Sequence, residues 1–269
     1  MGLPIVQVDA FTDRPFAGNP AAVCVLPAPA DPVWMQDVAR EMNLAETAFL
    51  VRRTDGYELR WFTPAVEVEL CGHATIASAH VLWEEGHVAA GTQARFHTKS
   101  GLLTADRRGA WIELDFPATP VTPTAVPTGI AAAIGATPRA AGSTRLGYLV
   151  LELEDENAVR QIDVDFGLLS RIDAKGVVVT SPATTGGYDF VSRFFAPRLG
   201  VNEDPVTGSA HCALAPYWCA KLGKSELVGY QASARGGVVR VRLQGNRVHL
   251  GGQAVTVLRG ELSAGIINP

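Results

Sequence analysis

Two short segments decide the fold: Cys71-Gly-His-Ala-Thr-Ile-Ala77 and Thr207-Gly-Ser-Ala-His-Cys-Ala213. They carry Gly, Ala and Ala at matching positions. The same constant offset relates three further pairs: Gly101 and Gly237, Gly109 and Gly245, and Leu114 and Leu250. A fixed offset sustained over about forty residues indicates an internal duplication, in which each half repeats one structural unit.

A second pair of similar segments precedes the first. Gly56-Tyr-Glu-Leu-Arg-Trp-Phe-Thr-Pro64 and Gly187-Tyr-Asp-Phe-Val-Ser-Arg-Phe-Phe-Ala-Pro197 both run Gly, Tyr, acid, then Arg, two aromatics, a small residue and Pro. A proline-rich stretch lies between the halves and is typical of an extended linker. We therefore predict an N-terminal half over residues 1–117, a linker over 118–127 and a C-terminal half over 128–269.

The elements of each half follow the same order. Opening strands are expected at Val6–Phe11 and Leu146–Leu151, and the next helix has its N-cap at Asp31 or near Asp165. Strands outnumber helices and occur in adjacent runs, which predicts an α+β fold rather than alternating βαβ units. The chain lacks the glycine motifs of dinucleotide- and nucleotide-binding loops, so no such cofactor is expected.

A helix is predicted after each repeated glycine, Gly72 and Gly208. The apolar pattern predicts helices over Thr75–Glu85 and Ala210–Leu222, with Pro216 kinking or shortening the second. Glycine permits close approach to the backbone, and the first helical turn offers free N–H groups with a partial positive charge. The two helix N-termini together can therefore bind a carboxylate-bearing substrate from both sides. The alternative is that these are two ordinary buried helices with no part in binding.

The halves differ at residues suited to acid-base chemistry. Glu46 stands at the start of an apolar strand whose counterpart near residues 176–179 has no carboxylate. A carboxylate partly withdrawn from water can act as base and then as acid, whereas a solvent-exposed glutamate is the simpler alternative. His73 is placed to donate a proton or anchor substrate. Asp204 either caps the following helix or holds a substrate ammonium or hydroxyl group.

Composition excludes several other classes of protein. The formal net charge is −4 and basic residues form no cluster, so a nucleic-acid partner is not expected. The sequence has no apolar run of the ~20 residues that a membrane span needs, and no secretory signal pattern. A soluble, cytoplasmic protein is expected. No His/Cys/Asp cluster has metal-ligand spacing and no serine-hydrolase motif occurs, so neither a metal site nor a hydrolase is expected.

Four motifs together resemble the PhzF-like phenazine-biosynthesis family, in the same order and over essentially the whole chain. They are Gly18-Asn-Pro-Ala-Ala-Val23, Asn43-Leu-Ala-Glu-Thr-Ala-Phe49, Leu70-Cys-Gly-His-Ala-Thr75 and Glu203-Asp-Pro-Val-Thr-Gly-Ser-Ala210. The resemblance implies the two-domain diaminopimelate-epimerase-like fold, with a mixed sheet wrapped around a central helix in each half. It also suggests a homodimer.

The resemblance further implies an isomerisation of a small carboxylate-bearing cyclic substrate, of the dihydro-hydroxyanthranilate type, without metal or cofactor. Glu46 matches the residue that moves a hydrogen between ring carbons, and His73, Asp204 and Ser209 match the other active-site positions. These four side chains are expected to converge on one pocket at the interface of the halves. Substrate-binding positions are expected at Asn19, Gly72, Ala74, Gly208 and Ala210.

Two other functions remain open. Related epimerases and proline racemases use one thiol from each half, and Cys71 occupies the first such place, but its repeat mate is Thr207. Two-base racemisation needs an acid and a base on opposite faces of the substrate, so one thiol disfavours it. A one-thiol epimerase or dehydratase is therefore the second candidate. A non-catalytic small-molecule binding protein is the third.

Overall fold

The computed structural model describes residues 2–263. The chain forms two compact units. The first unit runs to Asp115 and resumes at Gly251, and the second unit is Phe116–Leu250.

The first unit contains a mixed sheet. Its strands are β1 Leu3–Ala10, β2 Asn19–Leu26, β3 Glu46–Arg53, β4 Gly56–Phe62, β5 Glu67–Val68, β6 Ala94–Thr98, β7 Gly101–Arg108, β8 Trp111–Pro117 and, at the end of the chain, β18 Ala254–Leu262. The order is β18-β1-β2-β3-β4-β6-β7-β8, with parallel pairs β2/β3 and β4/β6 and antiparallel pairs elsewhere. The strand β5 adds to β4 in antiparallel fashion.

Helix α1, Pro32–Met42, joins the parallel strands β2 and β3. Asp31 is its N-cap and accepts the amide of Val33 at 2.7 Å, and proline occupies the first helical position. These features confirm the start predicted from the sequence, since proline's missing N–H costs nothing there. The helix ends at Asn43, whose left-handed backbone (φ 49°) closes it.

Helix α2, Gly72–Glu84, joins the parallel strands β4 and β6 and is buried around most of its circumference. Every residue from His73 to Trp83 is buried except His80. A helix that is apolar all round packs inside a domain, so α2 is the central helix of this unit. It begins three residues before the predicted Thr75, because the amide of Thr75 already bonds the carbonyl of Cys71 at 3.3 Å.

The second unit repeats this order of pairing. Its strands are β9 Thr122–Thr124, β10 Ala140–Ser143, β11 Tyr148–Glu152, β12 Gly176–Pro182, β13 Phe190–Ala196, β14 Val201–Asp204, β15 Glu226–Gln231, β16 Gly237–Gln244 and β17 Arg247–Gly252. The order is β9-β10-β11-β12-β13-β15-β16, with parallel pairs β11/β12 and β13/β15. From β10 onward, parallel and antiparallel pairs alternate as they do from β1 onward, which is what the proposed duplication requires.

The helices of the second unit are α3 Ile130–Ile134, α4 Glu156–Gln161, α5 Phe166–Leu169 and α6 Gly208–Leu222. Helix α6 joins β13 to β15, the same place in the pairing order that α2 has between β4 and β6. Pro216 does not shorten α6, which continues to the predicted end at Leu222, and the kink that was the other expected effect stays a prediction. Proline lacks the N–H that would reach the carbonyl of Cys212, and that carbonyl instead accepts the amide of Thr119 at 3.0 Å.

Two predicted boundaries differ from the structure. The predicted C-terminal half extended to residue 269, of which residues 264–269 lie outside the described residues. The strand β18 pairs with β1 along the whole of β1, so the described residues from Gly251 onward belong to the first unit. The strand predicted to open the C-terminal half, Leu146–Leu151, corresponds to β11. In the order of strand pairing, β11 has the position that β2 has in the first unit, not the position of the opening strand β1. Its neighbour β10, which takes the place of β1, is Ala-Ala-Gly-Ser and carries no strand-favouring side chain.

The structure is mixed α+β, as predicted. Within residues 2–263, no helix combines the length and the apolar character that crossing a membrane would require.

Candidate active site

Glu46 and His73 lie against each other in the first unit. Glu46 is the first residue of β3, and His73 is the second residue of α2. Glu46 Oε2 is 2.9 Å from His73 Nε2, and the two side chains are 17% and 6% exposed. The crossover connection from β4 through α2 to the parallel strand β6 brings the start of the helix beside the start of β3. Residues that are distant in sequence therefore meet here.

The contact between these two atoms is close but not that of an aligned hydrogen bond. Within the described part of the chain, neither Glu46 Oε2 nor His73 Nε2 has a partner that meets the directional requirement of one. Buried polar atoms are normally bonded, and exceptions often mark places where a ligand completes the set. Both atoms therefore keep a lone pair or a proton available to a third group.

The opposite nitrogen of His73 faces two other polar groups. His73 Nδ1 is 3.2 Å from the carboxamide nitrogen of the fully buried Asn19 and 3.5 Å from Cys71 Sγ. A carboxamide can present either its NH₂ or its oxygen, so Asn19 can serve both the neutral and the protonated ring. Asn19 thus fixes the ring of His73, and this gives the residue a role in addition to the one expected from the sequence.

Charge in this cluster favours the imidazolium form of His73. Burial lowers the pKa of His73, but contact with Cys71 and the negative charge of Glu46 outweigh burial and raise that pKa well above its ordinary value. Burial, reinforced by the charge of Glu46, raises the pKa of the Cys71 thiol. The thiol therefore stays protonated near neutrality, and Glu46 is the charge that holds the proton on His73.

The thiol, imidazole and carboxylate also form a set of possible metal ligands, because one donor atom from each of Glu46, Cys71 and His73 lies within 4.8 Å of the others. The sequence predicted no such cluster. The carboxylate, however, faces Nε2 and the thiol faces Nδ1. A tetrahedral ion would bind one ring nitrogen of His73, and the thiol and the carboxylate would both have to reach that same side of the ring. The observed ring orientation, with one group at each nitrogen, therefore fits a row of polar contacts better than a metal site.

A second polar cluster lies in the second unit. Asp204 ends β14, and its Oδ2 accepts the hydroxyl of Thr207, the N-cap residue of α6, at 2.5 Å. Ser209, the second residue of α6, has its Oγ 3.0 Å from the phenolic oxygen of Tyr148. Burial raises the pKa of Tyr148 and the charge of Asp204 adds to this effect, so the phenol remains protonated.

The glycines and alanines predicted to bind substrate occupy the first turns of the two central helices. Gly72 and Ala74 are the first and third residues of α2, and Gly208 and Ala210 have the same positions in α6. Both N-cap residues have extended backbone, and neither side chain caps its helix. Amides of the first turn are therefore not consumed by a cap, which suits them to an anionic group.

The structure thus brings Glu46 and His73 together with Asn19 in the first unit, and in the second unit both Asp204 and Ser209 interact with Tyr148. The convergence of all four predicted catalytic side chains on one pocket stays a prediction. Sequence reasoning missed Tyr148, which no motif marks. It treated Thr207 only as the repeat mate of Cys71, although its place before Gly208 marks it as the N-cap.

Comparison with known proteins agrees with this arrangement. The family model described as phenazine biosynthesis-like protein (PhzC-PhzF) matches residues 8–260. A protein of Halalkalibacterium halodurans named as an uncharacterised isomerase is 56% identical, over 97% of this chain and 99% of its own length. The crystal structure of a PhzF-family protein of Enterococcus faecalis superposes with a TM-score of 0.93 at 41% identity, covering 98% of this chain and 100% of its own.

A more distant structure shows the same fold. A protein of Pseudomonas aeruginosa, named as a predicted epimerase, superposes with a TM-score of 0.75 at 24% identity, covering 97% of this chain and 99% of its own. The fold is therefore epimerase-like, and the names of these proteins support an isomerase-like enzyme. With a family model that spans nearly the whole chain and a relative of more than half identical residues, the chain belongs to the phenazine biosynthesis-like (PhzC-PhzF) family.

Proposed function

We propose that the protein is a cofactor-independent isomerase in which Glu46 moves a proton between two carbons of a small, carboxylate-bearing cyclic substrate. The observation that carries this proposal is the contact between the partly buried Glu46 and the buried His73, whose facing atoms are buried, lie 2.9 Å apart and remain available to a ligand. A carboxylate beside an imidazolium can accept a proton while the positive charge stabilises the anion that develops on the substrate.

The proposed step balances without an oxidant or reductant. The carboxylate of Glu46 takes a proton from one ring carbon, and the electron pair of that C–H bond moves into the adjacent π-system. The same carboxyl group then delivers a proton to a second carbon, and the double bond shifts accordingly. His73 holds its own proton throughout and bonds the oxygen or nitrogen on which negative charge grows.

We further propose that amides at the start of α2, from Gly72 and Ala74, bind the substrate carboxylate. We propose that the same substrate is also bound by the backbone amides of Gly208 and Ala210. The side chains of Asp204 and Ser209 are proposed to take part in its reaction. The family resemblance supports this assignment through the four motifs. No metal is proposed, so dialysis against a chelator is expected to leave the activity unchanged. The proposed homodimer is tested by the mass of the purified protein in analytical ultracentrifugation.

Deuterium uptake from D₂O tests the role of Glu46. Dihydro-hydroxyanthranilate and a panel of small cyclic amino acids serve as substrates, and mass spectrometry reads the exchange. Glu46→Gln keeps the size of the side chain but cannot accept a proton, so exchange should fall by ~10²–10⁴. Glu41→Gln, at an exposed position on α1, is the matched control and should behave as the unaltered protein.

The thiol alternative predicts the reverse order of effects. Cys71→Ser should cost little if Glu46 is the base, because the thiol is buried and protonated. A nearly normal Glu46→Gln protein beside an inactive Cys71→Ser protein would establish the one-thiol epimerase or dehydratase instead. Saturable binding of a cyclic acid with no exchange in any variant would favour the non-catalytic binding protein.

A further inference from the structure

Gln231 is a fully buried polar residue to which the sequence assigned no role. It is the last residue of β15, has 0% exposure, and pairs through its backbone with Ser192 and Gly237. A buried carboxamide must satisfy its donors and acceptor within the protein, or it costs free energy. Within residues 2–263, the hydrogen-bond partners of the Gln231 side chain lie in the turn that leads into α6.

The carboxamide bridges both ends of that turn. Its oxygen accepts the amide of Thr207 at 2.9 Å, and its nitrogen donates to the carbonyl of Asp204 at 2.7 Å. Exchanging the oxygen and nitrogen would set donor against donor and acceptor against acceptor. The backbone of the turn therefore fixes which way the amide of Gln231 points.

This orientation decides what the hydroxyl of Thr207 does. The nitrogen of Gln231 also donates to Thr207 Oγ1 at 3.2 Å. Because that oxygen receives a hydrogen bond from Gln231, its own proton is directed to its other close partner, Asp204 Oδ2, at 2.5 Å. The result is a directed row of hydrogen bonds from the Gln231 amide through the Thr207 hydroxyl to the Asp204 carboxylate.

Two further contacts hold the turn in place. The hydroxyl of Ser233 donates to the carbonyl of Pro205 at 2.8 Å. His211 donates from Nδ1 to the carbonyl of Thr207 at 2.8 Å, and burial lowers the pKa of His211 to about 4, so its ring is neutral at pH 7. Thr207 is thereby held at its amide, its hydroxyl and its carbonyl, which leaves little freedom to the group that contacts Asp204.

We propose that Gln231 is a positioning residue that acts through the Thr207 hydroxyl to orient the Asp204 carboxylate and keep it in its acceptor form. The proposal rests on the proposed function in one respect, the participation of Asp204 in the reaction. The orientation itself is a property of the protein without substrate. It therefore has a test that requires no turnover.

That test uses NMR titration of aspartate carboxyl carbons, with the Asp204 signal assigned by its loss in Asp204→Asn. A donated hydrogen bond favours the charged carboxylate, so Thr207→Val should move the titration midpoint of Asp204 to higher pH. Gln231→Glu replaces the donor nitrogen by an acceptor oxygen, to which the Thr207 hydroxyl turns. It should move the midpoint in the same direction. Tyr148 is a titratable group whose pKa the charge of Asp204 raises, and Tyr148→Phe identifies its contribution.

The double variant separates a relay from two independent effects. With Thr207→Val already present, Gln231→Glu should move the midpoint less than it does alone, because the part that acts through the hydroxyl is already lost and only the repulsion by the new carboxylate remains. In exchange assays each single variant should lower kcat about tenfold or more with a smaller change in KM, as expected for losing one hydrogen bond to a charged group. Thr207→Ser keeps the hydroxyl and should restore kcat. Gln244→Leu, at an exposed glutamine of β16, is the matched control.

The outcomes distinguish the role of Gln231 from the proposed function of the protein. An unmoved Asp204 midpoint in Gln231→Glu, with thermal unfolding and far-UV circular dichroism showing an intact fold, would overturn the proposal. So would additive effects in the double variant. A midpoint that moves as expected while no variant, and no unaltered protein, exchanges any substrate proton would support the role of Gln231 and refute the proposed function.

Discussion

Thr75 and His211 make the same hydrogen bond at the starts of two different helices. The hydroxyl of Thr75 donates to the carbonyl of Cys71 at 2.5 Å, and Nδ1 of His211 donates to the carbonyl of Thr207 at 2.8 Å. Each bond joins residues four positions apart, and Cys71 and Thr75 have the same positions in the sequence repeat as Thr207 and His211. Different side chains thus make the same bond to the N-cap carbonyl, as the predicted duplication of the two halves would require.

The first prediction concerns the proton on His73. Its pKa is raised above the ordinary 6.5 in the folded protein, so the imidazolium contributes stability that is fully present below about pH 6.5. This contribution is lost as the pH rises through the folded-state pKa. Glu46→Gln removes the charge that holds the proton, and the NMR titration of His73 should move to lower pH. His97, which bonds Asp55 instead, is an internal reference; an unmoved His73 would contradict the assignment.

A second prediction concerns Glu156, the buried first residue of α4. Burial raises the pKa of this carboxyl, but hydrogen bonds from Thr184 and Thr185 and from Arg160 outweigh burial and lower it to about 2. Glu156→Gln should lower the free energy of unfolding by about 1.5–3 kcal/mol at neutral pH, since bonds to a charged acceptor are lost. Denaturant unfolding measures this loss.

The pH dependence of that loss has a definite sign. A depressed carboxyl pKa contributes stability above the unfolded value of about 4.3, and the contribution disappears as the pH falls towards about 2. The difference between Glu156→Gln and the unaltered protein should therefore shrink over this interval. Glu154→Gln, at an exposed carboxylate, is the control. A difference that stays constant down to pH 2 would exclude the charge of Glu156 as its cause.

The third prediction tests whether Glu46 and Ser209 serve one substrate. Ser209→Ala should slow deuterium exchange in the unaltered protein but have no further effect in Glu46→Gln, because residues that act on one step are strongly non-additive. Single-turnover deuterium uptake with the same substrate measures the effect of Ser209→Ala in both backgrounds. Equal losses in the two backgrounds would mean that the residues act independently.

The fourth prediction uses Gly176, the first residue of β12. A methyl group at this position would lie 2.4 Å from Cζ of Phe194 and 3.2 Å from Cδ1 of Tyr148. Gly176→Ala should therefore lower stability by roughly 1–3 kcal/mol, the cost of overpacking a core, and displace Tyr148 from Ser209. Gly260→Ala meets only ordinary contacts, the nearest at 3.6 Å, and is the control for thermal unfolding.

Local signals made the helices α1, α2 and α6 predictable; Asp31 followed by proline, for example, marks a helix start by its own chemistry. The position of Glu46 at the start of an apolar strand followed from the sequence, but its meeting with His73 was expected only from the family resemblance. Gln231 had no such signal, because its role depends on a turn more than twenty residues earlier in the chain. The strand β10 was missed for the opposite reason: its small residues form a strand only through pairing with its neighbours.

The pairing of β18 with β1 has a consequence for the order in which the protein assembles. The strand β1 lies between β2 and β18, and β18 is the last described strand to leave a ribosome. During synthesis the second unit has all its residues available first, while β1 waits with one backbone edge unpaired. Domains usually fold from the N-terminus onward. Here the unit that contains β1 is completed after the second unit, and the nascent chain carries an open strand edge, a feature through which chains aggregate, until β18 arrives.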